Sequence, residues 1–308
     1  MRARSLGRSG ALRALAAASA LAAVALMPAV AAAVDPYSDQ AFVADVDNGL
    51  TAFYGKQFDA ANTDFDAALA IAPTDSLALS LMNAAVSNIG PDALDNLANE
   101  EEDEAAKHPK DAIVQTRLAY TYLFEAQTVP ERAGDAKDAL NAAVASEPAL
   151  AGAHVGLGIY RLGEDSTNRA KAEFLAALAA QPHDILALEY LSDIYQNDLR
   201  DPQRALTYLV DVPNLIPNYA DAYFHLGSIM DDLGQYDAGV TYLKTGIGLD
   251  GGHVGEAGQF GLPLLGDLYL KLHELDLAKK AYADAVTYGE EPEYAQAQLD
   301  RIRSGKIQ

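Results

Sequence analysis

The chain has 308 residues and no cysteine, and its 44 Asp plus Glu against 22 Lys plus Arg give a formal net charge of −22. Without Cys there is no disulfide framework, Cys-ligated zinc or iron–sulfur site, or thiol nucleophile, and a chain that is 50% hydrophobic is too apolar to be wholly disordered. The acid excess argues against electrostatic binding to DNA, RNA or anionic lipid, which carry the same sign of charge.

Arg2, Arg4, Arg8 and Arg13 form a positive leader, and residues 14–34 follow without a charge. A basic segment, an apolar segment and then small residues is the order of a secretory signal. Ala31 and Ala33 supply the small-x-small step that places cleavage near residue 33. Residues 1–33 therefore read as a signal peptide and 34–41 as a linker, with the mature protein in the periplasm or outside the cell and not inserted in a membrane. A retained anchor is the alternative, since an uncharged stretch of this length just spans a bilayer; its Ala-rich composition and Pro28 favour the signal.

Beyond residue 41 one spacing recurs. Pro73, Pro109, Pro148, Pro182 and Pro217 are separated by 36, 39, 34 and 35 residues, a period that marks a solenoid or an array. Inside it, Gly49, Ala61, Phe65, Ala68 and Pro73 follow at steps of 12, 4, 3 and 5, and Gly158, Ala170, Phe174, Ala177 and Pro182 repeat those steps. Gly227, Gly239, Leu243 and Gly246 keep the first three, as do Gly266, Ala278, Tyr282 and Ala285. The small positions let two helices approach, and the large one plugs the gap between them. A Pro then stops the second helix because it cannot donate to the ladder. Gly55, Gly163 and Gly234 fall between the helices, where the left-handed conformation of a helix end is expected.

These residues resemble the tetratricopeptide repeat, a helix–turn–helix family whose pattern includes Leu-Gly-x-x-Tyr, Ala-x-x-x-Phe and a closing Pro. Leu157-Gly158, Leu226-Gly227 and Leu265-Gly266-x-x-Tyr269 match in first helices, Ala61-x-x-x-Phe65 and Ala170-x-x-x-Phe174 in second helices. The resemblance implies an all-α, right-handed α/α superhelix of about seven repeats over residues 42–291, closed by a C-terminal capping helix and tail at 292–308. The units fall at about 42–75, 76–110, 111–150, 151–184, 185–219, 220–254 and 255–291. In the second, the acidic stretch Asp95 to Lys107 lacks the Ala-x-x-x-Phe pair. The third has a longer turn through Val129-Pro130-Glu131, and the fifth one extra residue around Asp201-Pro202. In the cap, Tyr294, Ala297, Leu299 and Ile302 suit a buried stripe.

No motif of catalysis stands out. His108, His154, His183, His225, His253 and His273 are scattered one to a unit or linker, with no His-x-x-x-His or His-Glu-x-x-His pair. Asp45, Asp47, Asn48 and Gly49 lack the spacing and the Glu of a calcium loop and are assigned to the first helix. Gly252, Gly255, Gly258 and Gly261 lack the Lys-[Ser/Thr] of a phosphate loop and read as a flexible connection. No catalytic, metal or cofactor-binding residue is assigned.

In the resembling family the first helices line a concave groove that holds a peptide or a partner's helix. Carried over, those positions are Val43, Val46, Leu50, Phe53 and Tyr54 in the first unit and Tyr120, Leu123 and Phe124 in the third. In units five to seven they are Glu189, Asp193, Gln196, Asn197, Asp221, Phe224, Asp231, Asp232 and Asp267. The expected groove turns from apolar to acidic and fits a basic or amphipathic segment of a protein partner. The resulting expectation is a non-catalytic interaction scaffold or adaptor of the bacterial cell envelope. The alternatives are an envelope enzyme or polysaccharide secretion or processing factor using the acidic groove, and a self-assembling structural protein.

Overall fold

The computed structural model describes residues 35–90, 92–251, 253, 257–289 and 292–306; the leader of residues 1–33 lies outside them, as do Gly252 and Gly255. Each unit is a pair of helices packed flank to flank. The pairs are α1 (Gln40–Tyr54) with α2 (Phe58–Ile71), α3 (Ser76–Ile89) with α4 (Ala93–Lys107), α5 (Ala112–Glu125) with α6 (Arg132–Ser146), and α7 (Ala151–Gly163) with α8 (Thr167–Ala180). Unit 5 pairs α9 (Ile185–Asp193) with α10 (Pro202–Leu209) and the short α11 (Val212–Leu215). Unit 6 pairs α12 (Ala220–Asp232) with α13 (Tyr236–Leu249), and unit 7 α14 (Leu262–Lys271) with α15 (Leu275–Tyr288). The cap is α16 (Glu293–Arg303), and no strand occurs among the described residues.

Short-range chemistry starts and stops these helices. Asp75, Asp111 and Asp184, each two residues after a unit's closing Pro, cap the next first helix: their carboxylates accept from Ala78 N–H at 2.9 Å, Ile113 N–H at 2.9 Å and Ala187 N–H at 3.0 Å. Such side chains satisfy amides that have no partner inside the helix. At the inter-helix turns the left-handed residue is Lys56, Asp165, Gly234 or His273, in each case seven positions after the small residue Gly49, Gly158, Gly227 or Gly266. The next N–H closes back on the carbonyl five residues earlier: Gln57 to Ala52 at 2.8 Å, Ser166 to Arg161 at 2.9 Å, Gln235 to Met230 at 2.8 Å and Glu274 to Tyr269 at 2.8 Å, the closure of a Schellman end. Of the three expected glycines only Gly234 has positive φ. Gly55 has φ −81° and Gly163 is the last helical residue.

The plug register holds. A β-carbon built on Gly49, Gly158 or Gly266 would stand 2.4, 2.4 or 2.5 Å from the ring of Phe65, Phe174 or Tyr282, and on Gly227 2.6 Å from Leu243. In the acidic second unit the equivalent position is Glu101, which is buried, accepts from Thr121 Oγ1 at 2.6 Å and lies 3.8 Å from Arg117. A hydrogen bond and an ion pair replace the aromatic contact, and α4 still packs on α5. In unit 5 a π-helical turn over Ile194–Asp198 absorbs the extra residue, and Pro213 splits the second helix after Leu209.

Three segments differ from expectation. Residues 36–38 form a short 3₁₀ turn whose Tyr37 is buried, so the expected linker is anchored. Ala257–Gly261 form a π-helical turn leading into α14, with Gly261 set against Phe224, where a free connection was expected. The buried stripe of α16 is Ala295, Gln298, Leu299 and Ile302, one helical face by spacing, while Tyr294 and Ala297 are exposed.

Candidate partner-binding face

The first helices do face one another across the inside of the array, but the apolar half of that face is closed. Among the expected groove residues Phe53, Tyr54, Tyr120 and Phe224 are buried, the first three at 7%, 4% and 3% exposure and the last at 0%. Tyr54 Oη accepts from the N–H of Ala220 at 3.1 Å, Asp47 from the N–H of Asn218 at 3.2 Å, and Tyr120 donates to the carbonyl of Gly152 at 3.0 Å. Unit 1 thus rests on the start of unit 6, and α3 of unit 2 touches α7 and α9 of units 4 and 5. The array curves tightly enough to meet itself, which converts these aromatics from groove lining into seam. At one point the backbones touch: a β-carbon on Gly152 would lie 2.0 Å from the Thr74 carbonyl oxygen. Phe124 is half-buried.

The seam has a polar centre absent from the sequence-based site. Ser76 Oγ donates to Asp184 at 2.7 Å, Tyr37 Oη to Asp75 at 3.3 Å and Gln181 Nε2 to Asp75 at 3.4 Å. His183 bonds Asp35 at its edge. Burial pushes the Asp75 carboxyl up. It does the same to Asp184, where the charge of Asp75 adds to it. The Pro-x-Asp spacing marks both residues as helix caps, but nothing local shows that the two caps converge.

The acidic half forms a ladder between units. Glu189 accepts from Tyr219 Oη at 2.6 Å and pairs with His225 at 3.1 Å. Gln196 Nε2 donates to Ser228 Oγ at 2.9 Å and to Asp232 at 2.7 Å, binding unit 5 to unit 6. Asp231 pairs with Lys271 of unit 7, and Asp267 accepts from Tyr282 Oη at 2.5 Å and Tyr294 Oη at 2.8 Å, tying unit 7 to the cap. Asp221 is half-buried, while Asn197 and Asp232 are exposed and Asp193 accepts from Asn197 at 2.5 Å. Gln196 thus brings Asp232 beside the turn that holds Asn197, leaving Asn197 and Asp232 exposed and Asp193 half-buried, while Glu189, Asp231 and Asp267 are engaged in contacts with neighbouring elements.

Residues 220–253, unit 6, match the family model of the tetratricopeptide repeat. Unit 6 is thus a tetratricopeptide repeat, and the array of helix pairs has the fold of tetratricopeptide-repeat proteins. Two solved structures share its TPR fold. YrrB, described as a TPR protein with an unusual peptide-binding site, superposes with a TM-score of 0.50 at 20% identity over 66% of this chain and 99% of its own. PilF of Pseudomonas aeruginosa gives a TM-score of 0.50 at 17% identity over 85% of this chain and 98% of its own. At these identities the likeness is one of fold. Among curated proteins no sequence matches.

Within this TPR array the histidines stay apart. His154 binds Glu173 at 2.8 Å inside unit 4, His225 binds Glu189, and His253 stacks on Tyr288 with ring centres 4.3 Å apart. Among the described residues no three His, Cys, Asp or Glu gather as a metal site, and no helix is long and apolar enough to cross a membrane. The chemistry on offer is recognition by carboxylates and amides held on rigid helices.

Proposed function

We propose that this protein of TPR fold is an exported adaptor of the cell envelope that binds a basic segment of a protein partner at Asp193, Asn197 and Asp232. The fold is one that generally serves as a non-catalytic interaction scaffold. One observation carries the reading: Asp193 ends α9, Asp232 ends α12 and Asn197 lies in the turn after α9, where Gln196 donates to Asp232, and both Asn197 and Asp232 are exposed. A net charge of −22 adds long-range attraction for a cationic segment. The closed seam removes the apolar half of the expected groove, so an amphipathic ligand is a weaker fit than a basic one. The leader Arg2 to Arg13, the uncharged stretch behind it and the Ala31–Ala33 step support export.

A photo-crosslinker placed at Asn197 and, as control, at Asp59 on the outer helix of unit 1 tests it in envelope extracts. Adducts to one protein from Asn197 alone, weakened together by D193N and D232N and by salt, are the predicted result. Equal labelling from both positions, or capture indifferent to both substitutions at low salt, contradicts it.

A further inference from the structure

Where units 1 and 2 meet units 4 and 5, the chain buries two carboxylates without a cation. Asp75 caps α3 and Asp184 caps α9, and they are 2% and 0% exposed. They belong to parts of the array joined by the Ser76–Asp184 bond across 108 residues of sequence. Every element around them is accounted for. The 36–38 turn supplies Tyr37, the end of α8 Gln181 and α5 Tyr120, while Asp35 and His183 are occupied with each other at the edge. Among the described residues neither carboxylate is in an ion pair, and Asp184 Oδ2 has no hydrogen-bond partner. The amides of Ala78 and Ala187 relieve part of each charge, but they would do so equally if the seam were open.

Opening the seam would leave each Asp capping its helix in water. Closing it sets two like charges together in an apolar interior, a state that becomes favourable once one charge is removed. We propose that closure of the seam is coupled to protonation of the Asp75–Asp184 pair, so that the array is closed in mild acid and opens as the pH rises past neutral, uncovering the inner faces of α1 and α3.

The geometry allows opening without unfolding. Unit 3 lies between the two arms and packs on them through smaller apolar clusters, Leu140 with Leu157 of unit 4 and Leu118 and Tyr122 with Ala105 of unit 2, while its Tyr120 enters the main core that spans the seam. In a repeat array each unit is held mainly by its neighbours, so a contact between distant units can part while the hairpins persist. The sign is fixed by the direction of the shifts. Both carboxyls are raised in the closed form, to about 6 and about 7, above the value of about 4 they would have in water. The closed form therefore binds more protons, is fully favoured below that ordinary value, and loses the advantage as the pH climbs through 6 to 7.

The chain lacks Cys, so a dye pair at T63C on α2 and K244C on α13 reports the distance between the arms directly. The predicted result is a reversible lengthening from about pH 5 to about pH 9, with helical circular dichroism unchanged. D184N and D75N, which remain competent caps, should each leave the arms closed to higher pH, the midpoint moving up by at least about one unit. A distance that does not change with pH in the parent chain, or a transition left in place by both substitutions, overturns the proposal.

Discussion

The ring of Phe174 lies so close to Gly158 that a β-carbon there would stand 2.4 Å from its Cε1, and the same relation joins Phe65 to Gly49 and Tyr282 to Gly266. This contact, sixteen residues apart in sequence, sets the depth at which the second helix of a unit seats against the first. Interiors at this density tolerate neither a void nor an extra methyl group.

Phe174→Ala should cost about 3–5 kcal/mol, because the ring is fully buried and its neighbours are held by two helices. Gly158→Ala, which on an exposed helix would be stabilising, should instead cost about 1–3 kcal/mol through overpacking. Urea denaturation measures both; a loss below about 1 kcal/mol for Phe174→Ala would contradict the assigned register.

Lys56 and His273 hold φ of 57° and 62° at turns where unit 6 uses Gly234. Left-handed backbone is unfavourable for residues with a β-carbon. Lys56→Gly should therefore be neutral or raise stability by up to about 1 kcal/mol, whereas Gly234→Lys should lower it by a similar amount. Thermal midpoints of the two variants, measured side by side, check the opposite signs.

His154 donates through one ring nitrogen to Glu173 at 2.8 Å and through the other to the Pro148 carbonyl at 3.0 Å when protonated. Burial opposes the charge, but these two bonds outweigh it and raise the pKa above its ordinary value. The stabilisation is thus complete below that ordinary value, about 6.5, and fades as the pH rises through the folded one. His154→Gln should flatten this part of the stability–pH curve; denaturation midpoints taken from about pH 5.5 to about pH 8 would show an unchanged slope if the pairing contributes nothing.

The hairpins were legible because they are local. Gly158 and Phe174, or Gly266 and Tyr282, stand at spacings that two adjacent helices impose, and those spacings recur. The same is true of the turn, yet its left-handed residue falls at Lys56 and Asp165 because position in the hydrogen-bonded closure, not residue type, decides which φ turns positive. Glu101 is not legible as a plug because its partner Thr121 comes from the next unit. The seam was invisible for a stronger reason: Tyr54 meets Ala220 and Thr74 meets Gly152 only through the summed small rotations between successive units, which no short motif encodes. That is why Phe53, Tyr54, Tyr120 and Phe224 read as lining and lie buried.

Closure of unit 1 onto unit 6 is the claim on which the reading of the whole inner face depends. Asn218 Nδ2 donates to Thr51 Oγ1 at 3.4 Å at the exposed edge of that contact. In a chain with no native cysteine, Thr51→Cys combined with Asn218→Cys supplies the only thiols. Mild oxidation of the dilute double variant at slightly acid pH, followed by non-reducing mass analysis, should give near-complete disulfide formation within single chains. Free thiols, or dimers linked between chains, would show that the array stays open and that its inner face is a groove after all.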